Sequence, residues 1–285
     1  MPDVSDALVV ALCAVAGVVV APFLTTLIEQ VPGKLPLRWP GPAEHPPILY
    51  WLRPREETAS AATDAASRTA TGAGADPRDA RADVDDAEAA EEGFDGPLPP
   101  GWGLATEIAS PVLFALAGVR FGASAVVVPF CVLFGALLVV SVIDIGHYRI
   151  PDRIVFPTLA LSLPLIVAVS LGLGAGRSIG YALVGALAYF LLLLVAHLVY
   201  PAGMGFGDVK LALLMGLYLG WIAPDAIRAV TLVLFALMIG CLLGVAVGAV
   251  LAVVRRRNAA FPFGPALAAS TVAAVLFSQQ LLGTG

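Results

Sequence analysis

The chain has 285 residues, of which 59% are hydrophobic and only 13% are charged, and its mean hydropathy is +0.90. Soluble globular domains carry roughly 25% charged residues, so this composition excludes an ordinary soluble protein. The formal net charge of -5 says little about partners, because most carboxylates lie in one stretch between Glu44 and Asp95. No basic cluster indicates a nucleic-acid partner.

Apolar runs of about 20 residues, the length that spans a bilayer, occur at eight places. They cover approximately residues 7–28, 104–122, 124–143, 153–172, 178–200, 208–223, 226–253 and 264–282. The first run follows Asp3 and Asp6 instead of basic residues, so we interpret it as a transmembrane helix and not as a removed signal peptide. The sequence therefore predicts an all-α, polytopic membrane helix bundle with about eight transmembrane helices.

A long polar loop separates the first two runs. Residues 32–54 are rich in proline and aromatic side chains, whereas residues 55–100 are acidic and contain almost no large apolar side chains. Such a composition cannot bury enough surface to offset the entropy of ordering, so we predict a disordered acidic linker at 55–100. The predicted organisation is a first transmembrane helix at 1–31, a loop at 32–103 and a seven-helix core at 104–285.

The basic residues predict the orientation in the membrane. Alternate loops contain thirteen of the sixteen: Lys34, Arg38, Arg53, Arg55, Arg68, Arg78, Arg81, Arg149, Arg153, Lys210, Arg255, Arg256 and Arg257. Basic residues in short loops favour the cytoplasmic side, so these loops are expected in the cytoplasm and both termini outside.

Two aspartates lie at the predicted cytoplasmic ends of spans. Asp144 ends the third span and precedes Pro151, which is suited to the start of the fourth. Asp208 follows Gly203, Gly205 and Gly207 at the start of the sixth. Charged residues in spanning segments are functional candidates, although Asp144 could mark a helix end and Asp208 could be a helix N-cap.

Alternating glycines favour non-helical backbone, which at membrane depth is tolerated only where it is buried in protein or lines a wet cavity. An opening that admits an extended peptide is one such cavity, so Gly203, Gly205 and Gly207 are candidate substrate-binding residues. Two nearby carboxylates would share a proton, one acting as base on a water and the other as acid. That is the chemistry of an aspartic peptidase, and it requires no metal.

The other polar candidates are weaker. Glu107 suits the N-terminus of the second span, or it could contact a substrate amine. We interpret His197 as a structural histidine hydrogen-bonded to a neighbouring helix, and His45 and His147 are too isolated to build a metal site. Cys13, Cys131 and Cys241 stand alone in apolar runs, which predicts neither a zinc cluster nor disulfides.

The motifs around both aspartates resemble a known family. GMGFGD (203–208) resembles the GxGD signature of intramembrane aspartyl proteases, and DIGHYRIPDRIVFP (144–157) resembles the first catalytic segment of type IV prepilin peptidases. PFLTTLIEQVP (22–32), TEIASPVLFALAGVRFG (106–122) and FPFGPALA (261–268) are similar to further parts of that family, with Glu107 at a recurring acid. The resemblance covers most of the chain outside 55–100, and it implies that Asp144 and Asp208 are catalytic.

The resemblance also implies a substrate and a location. It implies removal of a short basic leader from type IV prepilins or pseudopilins at the plasma membrane, for pilus assembly or type II secretion. Bifunctional members carry two CxxC pairs in the first cytoplasmic loop, associated with N-methylation of the cleaved pilin. This chain keeps the flanking frame at 32–54 but has no cysteine there, so the loop does not support methyl transfer or a need for S-adenosylmethionine.

Two other functions remain as alternatives. Asp144 and Asp208 could bind a cation or proton in a transporter, where the glycine run would be a broken helix. Inverted internal repeats would favour a transporter, and none is clear in the sequence. A third alternative is a catalytically inactive relative that assists assembly. The presence of both aspartates of the catalytic type is evidence against it.

Overall fold

The computed structural model describes residues 4–31, 102–147, 149–200, 204–255 and 263–283. All secondary structure in these ranges is helical, which confirms the predicted fold class. The helices are α1 (Val4–Gln30), α2 (Trp102–Phe121), α3 (Val127–His147), α4 (Asp152–Gly172), α5 (Arg177–Val199), α6 (Phe206–Trp221), α7 (Ala226–Arg255), α8 (Gly264–Leu276) and α9 (Ser278–Leu281). The predicted linker at 55–100 lies outside the described residues.

Each of the eight predicted spans corresponds to a helix, but two of these helices are shorter than a membrane span. Six, namely α1 to α5 and α7, are long and apolar enough to cross a membrane. Helix α6 has 16 residues and is about 24 Å long, less than the roughly 30 Å of a hydrocarbon core. Helix α8 has 13 residues and is followed at once by α9.

Helix α6 lies in the middle of the bundle, because its side chains are buried along nearly its whole length. It packs most closely against α5, where glycines replace side chains at the contact. A Cβ atom on Gly216 would collide with the carbonyl oxygen of Gly185, and one on Gly220 would collide with that of Tyr181. The two backbones therefore approach as closely as small-residue interfaces in membranes allow.

Polar side chains also join α6 to α4 inside the apolar core. The Tyr218 hydroxyl donates a 2.8 Å hydrogen bond to Ser162 Oγ, and Trp221 Nε1 donates one of 2.8 Å to Ser170 Oγ. Buried polar groups need such partners, because an unpaired one is costly in an apolar interior. Both bonds fix the rotation of α6 about its own axis.

Four helix termini meet at one end of the bundle, which we call the aspartate end. Helix α3 ends there at His147, and α4, α6 and α8 begin there at Asp152, Phe206 and Gly264. Helix α1 begins at the opposite end, because a Cβ atom on Gly122, just after α2, would lie 2.7 Å from Asp6 Oδ1.

Candidate active site

Asp144 lies in the last turn of α3 and is only 6% exposed. Its Oδ2 accepts a 3.0 Å hydrogen bond from the backbone N–H of Gly264, the first residue of α8. A helix N-terminus presents unpaired N–H groups and partial positive charge, which stabilise a nearby carboxylate. Asp144 does lie at a helix end, but its carboxylate is buried against another helix, which an acid placed there only because water is close would not require.

Asp208 lies in the first turn of α6 and is also 6% exposed. The N-cap of α6 is Gly205, and no side chain caps this helix. Oδ1 of Asp208 is buried and has no hydrogen-bond partner within the described part of the chain. The alternative that Asp208 serves as an N-cap is thus wrong, and capping does not explain why a carboxylate is buried here.

The structure brings the two aspartates together. Gly207, which precedes Asp208, and Gly264, which donates to Asp144, both lie against the same side chain, Ile150. Ile150, in the connection between α3 and α4, lies between the backbone of Gly207 and the backbone of Gly264. A Cβ atom on Gly207 would lie 2.8 Å from Ile150 Cβ, and one on Gly264 would lie 3.4 Å from Ile150 Cδ1. One apolar side chain therefore fills the space between the start of α6 and the start of α8.

The three glycines before Asp208 have different surroundings. Gly203 lies outside the described residues. Gly205 has extended backbone, with φ -67° and ψ 142°, and a Cβ atom there would have no neighbour closer than Asp208 Oδ2 at 3.8 Å. Gly207 is already helical, so the expected non-helical backbone is not present at this position. Its missing side chain leaves room for Ile150.

The remaining polar candidates do not gather into a second site. Glu107 lies beyond the first turn of α2, so the expectation that it begins this helix is wrong, and its Oε2 is buried without a hydrogen-bond partner among the residues described. Nδ1 of His197 lies 2.9 Å from the carbonyl oxygen of Met204, which agrees with a structural role. Nδ1 of His147 is buried and likewise lacks a partner in the described ranges.

No group of three or more His, Cys, Asp or Glu side chains that could hold a metal ion occurs among the described residues. At the aspartate end, the carboxylates of Asp144 and Asp208 are of the type that can act as base and acid on a water nucleophile. Two buried carboxylates near one another also occur in proton-coupled membrane proteins.

Sequence reasoning missed two contributors to this site. FPFGPALA was matched to the start of the last helix, but nothing in the sequence indicated that the Gly264 N–H meets Asp144. Asp152 lies in the first turn of α4, where an acid suits the helix N-terminus, and its carboxylate also pairs with Lys210, two residues after Asp208. No motif or spacing in the sequence indicated either contact.

Comparison with known proteins points to one family. Residues 131–249, which include both aspartates, match the type IV leader peptidase family. The chain is 35% identical over 178 residues to the prepilin leader peptidase/N-methyltransferase of Bacillus subtilis, covering 62% of this chain and 67% of that protein. It is 33% identical over 187 residues to proteins of the same name from Pseudomonas putida and Pseudomonas aeruginosa.

These two matches cover 61% and 62% of this chain and 58% and 59% of the Pseudomonas proteins, so the chain spans somewhat more than half of their length. No solved structure matches the chain. The names of these relatives describe a peptidase and not a transporter, so the transporter alternative has no support among them.

Proposed function

The chain belongs to the type IV leader peptidase family, and we propose that it is a membrane aspartic endopeptidase that removes the leader from type IV prepilin or pseudopilin precursors. The observation that carries this proposal is the meeting of two buried carboxylates, Asp144 and Asp208, from different helices at one end of the bundle. Both lie inside the segment that matches the family. We propose these two residues as the catalytic pair.

The hydrogen bonds of the two carboxylates suggest separate roles. Asp144 accepts the N–H of Gly264 at the N-terminus of α8, a contact that complements a negative charge and holds the carboxylate in one orientation. We assign Asp144 as the general base that takes a proton from the attacking water. Asp208 has one oxygen that meets no donor in the described structure, so a proton on it is available to the substrate. We assign Asp208 as the acid that protonates the carbonyl oxygen. When the tetrahedral intermediate collapses, Asp144 gives the proton it took from the water to the leaving amine, and Asp208 recovers its own proton from the hydroxyl of the intermediate.

The substrate segment would lie in extended form beside the start of α6. Gly205 has extended backbone and no close steric neighbour, which supports a strand-like contact there. We also propose substrate contacts for Gly203 and for Gly207, whose backbone is already helical. Glu107 has a buried carboxylate oxygen without a partner among the described residues, which supports a contact with a positively charged group of the substrate. Its partner would be an amine near the scissile bond.

The protein spans the membrane several times. We propose that it resides in the plasma membrane with the aspartate end in the cytoplasm and both termini outside. Arg149 and Arg153 flank the connection after Asp144, and three arginines follow one another at 255–257, which supports this orientation. A basic leader would then be cleaved on the side where it is synthesised.

Methyl transfer is not part of the proposal. The names of the relatives include N-methyltransferase, an activity that uses S-adenosylmethionine. Between Cys13 and Cys131 this chain contains no cysteine, so the first loop lacks the CxxC pairs of the bifunctional members. Mass spectrometry of the mature N-terminus tests this directly, because a product heavier by one methyl group would contradict it.

The decisive experiment follows leader removal on a gel. A prepilin precursor is co-expressed with the wild-type protein, with Asp144→Asn or with Asp208→Asn, each of which keeps the side-chain shape and removes the charge. We expect both variants to lose cleavage by at least about a thousandfold, as when one member of a catalytic unit is removed. Asp225→Asn, at an exposed ion pair with Arg228, is the control and should process the precursor normally. Wild-type rates in either catalytic variant would overturn the assignment.

A further inference from the structure

An ion pair joins the two segments that carry the aspartates. Lys210 follows Asp208 by two residues in α6, and its Nζ lies 2.8 Å from Asp152 Oδ1 and 2.7 Å from Asp152 Oδ2. Asp152 is the first residue of α4, directly after the short connection that leaves the helix of Asp144. The pair therefore links the start of α6 to the segment that follows Asp144.

Two aromatic rings confine the lysine further. Nζ of Lys210 lies 5.2 Å from the ring centroid of Phe206 and 5.7 Å from that of Phe156. A cation over an aromatic face is attracted by the ring, so these contacts restrict the ammonium from two more directions. The Lys210 side chain is only 24% exposed, although that of Asp152 is 52% exposed.

Such a pair contributes little to stability, because exposed ion pairs contribute about 0–1 kcal/mol. Its location is more informative than its strength. Two contacts join this region to α6: Ile150 of the connection packs against Gly207, and Asp152, at the start of α4, binds Lys210. The contact of Ile150 with Gly207 is apolar and has no preferred direction. In the ion pair, both carboxylate oxygens of Asp152 bind one ammonium, which fixes the distance between the start of α4 and the start of α6.

We propose that the Lys210–Asp152 ion pair is a positioning device that sets the separation of Asp144 and Asp208. This inference rests on the proposed peptidase function, because it concerns the geometry of that catalytic pair. The contact of Ile150 with Gly207 persists without the ion pair, but it is apolar and does not fix a direction. The two carboxylates then sample a wider range of separations, and a displacement of about 1 Å lowers catalysis by on the order of a hundredfold.

The first test measures kcat and KM separately for leader cleavage by the full-length protein. Lys210→Met keeps the apolar stem and removes the charge, and Asp152→Asn keeps the shape of its partner. We expect each to lower kcat on the order of 10- to 100-fold with KM changed less than about twofold. Lys210→Arg retains the charge and can pair with both carboxylate oxygens of Asp152, so part of the wild-type kcat should return.

A matched control comes from another ion pair. Arg228 Nη1 lies 3.7 Å from Asp225 Oδ2, and both side chains are nearly half exposed. The double variant Arg228→Met with Asp225→Asn removes a comparable pair that touches neither aspartate. Its kcat should equal that of the wild type, and an equal loss there would overturn the positioning role.

The second test reports geometry without catalysis. Cysteines replace Asp144 and Asp208 in a chain whose three native cysteines are alanine, and thiol-specific cross-linkers of increasing spacer length are applied. With Lys210 present, the cross-linking yield should be highest at one spacer length. With Lys210→Met, a wider range of spacer lengths should react, and the highest yield should fall several-fold. An unchanged spacer profile overturns the inference, even if kcat falls. If the wild-type protein cleaves no precursor, the proposed function fails, and the spacer profile alone still decides the positioning role.

Discussion

The backbone N–H of Gly264 donates a 3.0 Å hydrogen bond to Oδ2 of Asp144 across 120 residues of sequence. Because the donor belongs to the backbone at a helix N-terminus, its position depends on the packing of α8 and not on a side-chain rotamer. This contact orients the residue that we propose as the base, and it leads to the first prediction.

Gly264→Ala should impair catalysis more than folding. A Cβ atom at this position would lie 2.7 Å from Asp144 Oδ2, so either the carboxylate or the start of α8 must move. We expect kcat to fall on the order of 10- to 100-fold, measured by leader cleavage together with thermal unfolding in detergent. Gly180→Ala is the matched control, because a Cβ atom there would meet nothing within 4 Å. Equal activity in both variants would show that the Gly264 contact is dispensable.

Gly207→Ala should also lower activity, through Ile150. The added methyl group would lie 2.8 Å from Ile150 Cβ and would push the connection between α3 and α4 away from α6. Since Asp208 is the next residue, the separation of the two carboxylates should change, and kcat should fall. Steady-state kinetics measure this effect, and a rise in KM alone would instead indicate that Gly207 acts by contacting the substrate.

Gly205→Ala tests the substrate contact separately. Its backbone angles suit alanine, and the added methyl group would have no neighbour closer than 3.8 Å, so folding should be unaffected. If an extended substrate segment lies against this backbone, KM should rise by several-fold while the unfolding temperature stays constant. Unchanged KM would remove Gly205 from the proposed binding surface.

The contact between α5 and α6 should tolerate no side chain. Gly185→Ala places a methyl group against the carbonyl oxygen of Gly216, where only backbone can give way. Overpacking of this kind costs about 1–3 kcal/mol in the free energy of unfolding. Thermal unfolding should show the loss for Gly185→Ala, whereas Gly180→Ala on the same helix should be neutral. Equal stability of the two variants would contradict the close approach of the backbones.

Removal of residues 55–95 should leave cleavage intact, because their acidic composition predicts a linker without a packed core. The rate of leader removal is measured for the deletion and for a chain in which the same residues are replaced by an equal length of Gly and Ser. Loss of activity in the deletion alone would indicate a length requirement, whereas loss in both would assign the acidic residues a function.

The sequence was sufficient to predict the helices and the shared end of Asp144 and Asp208, because apolar length and the distribution of basic residues are local signals. It was not sufficient for the contacts that orient the aspartates. Gly264 is 120 residues from Asp144, and Lys210 is 58 residues from Asp152. No periodicity or spacing in one sequence pairs such positions, since their meeting depends on how the helices pack.

Gly207 illustrates a second limit. Its place in an alternating glycine run suggested open, non-helical backbone, yet it is helical and its lack of a side chain accommodates Ile150. A glycine in a sequence reports that a side chain is absent, but it does not distinguish conformational freedom from close packing.

The backbone contact between α5 and α6 also guides protein engineering. Asp208 lies in the first turn of a helix that meets its neighbour through Gly185, Gly216 and Gly220, so a library that randomises this contact will mostly yield destabilised proteins. The surroundings of Asp144 are built from the start of α8 and the connection before α4. Attempts to redirect the proposed peptidase to a different leader should therefore leave both of these contacts unchanged and vary residues near Gly205, where we propose that the substrate segment lies.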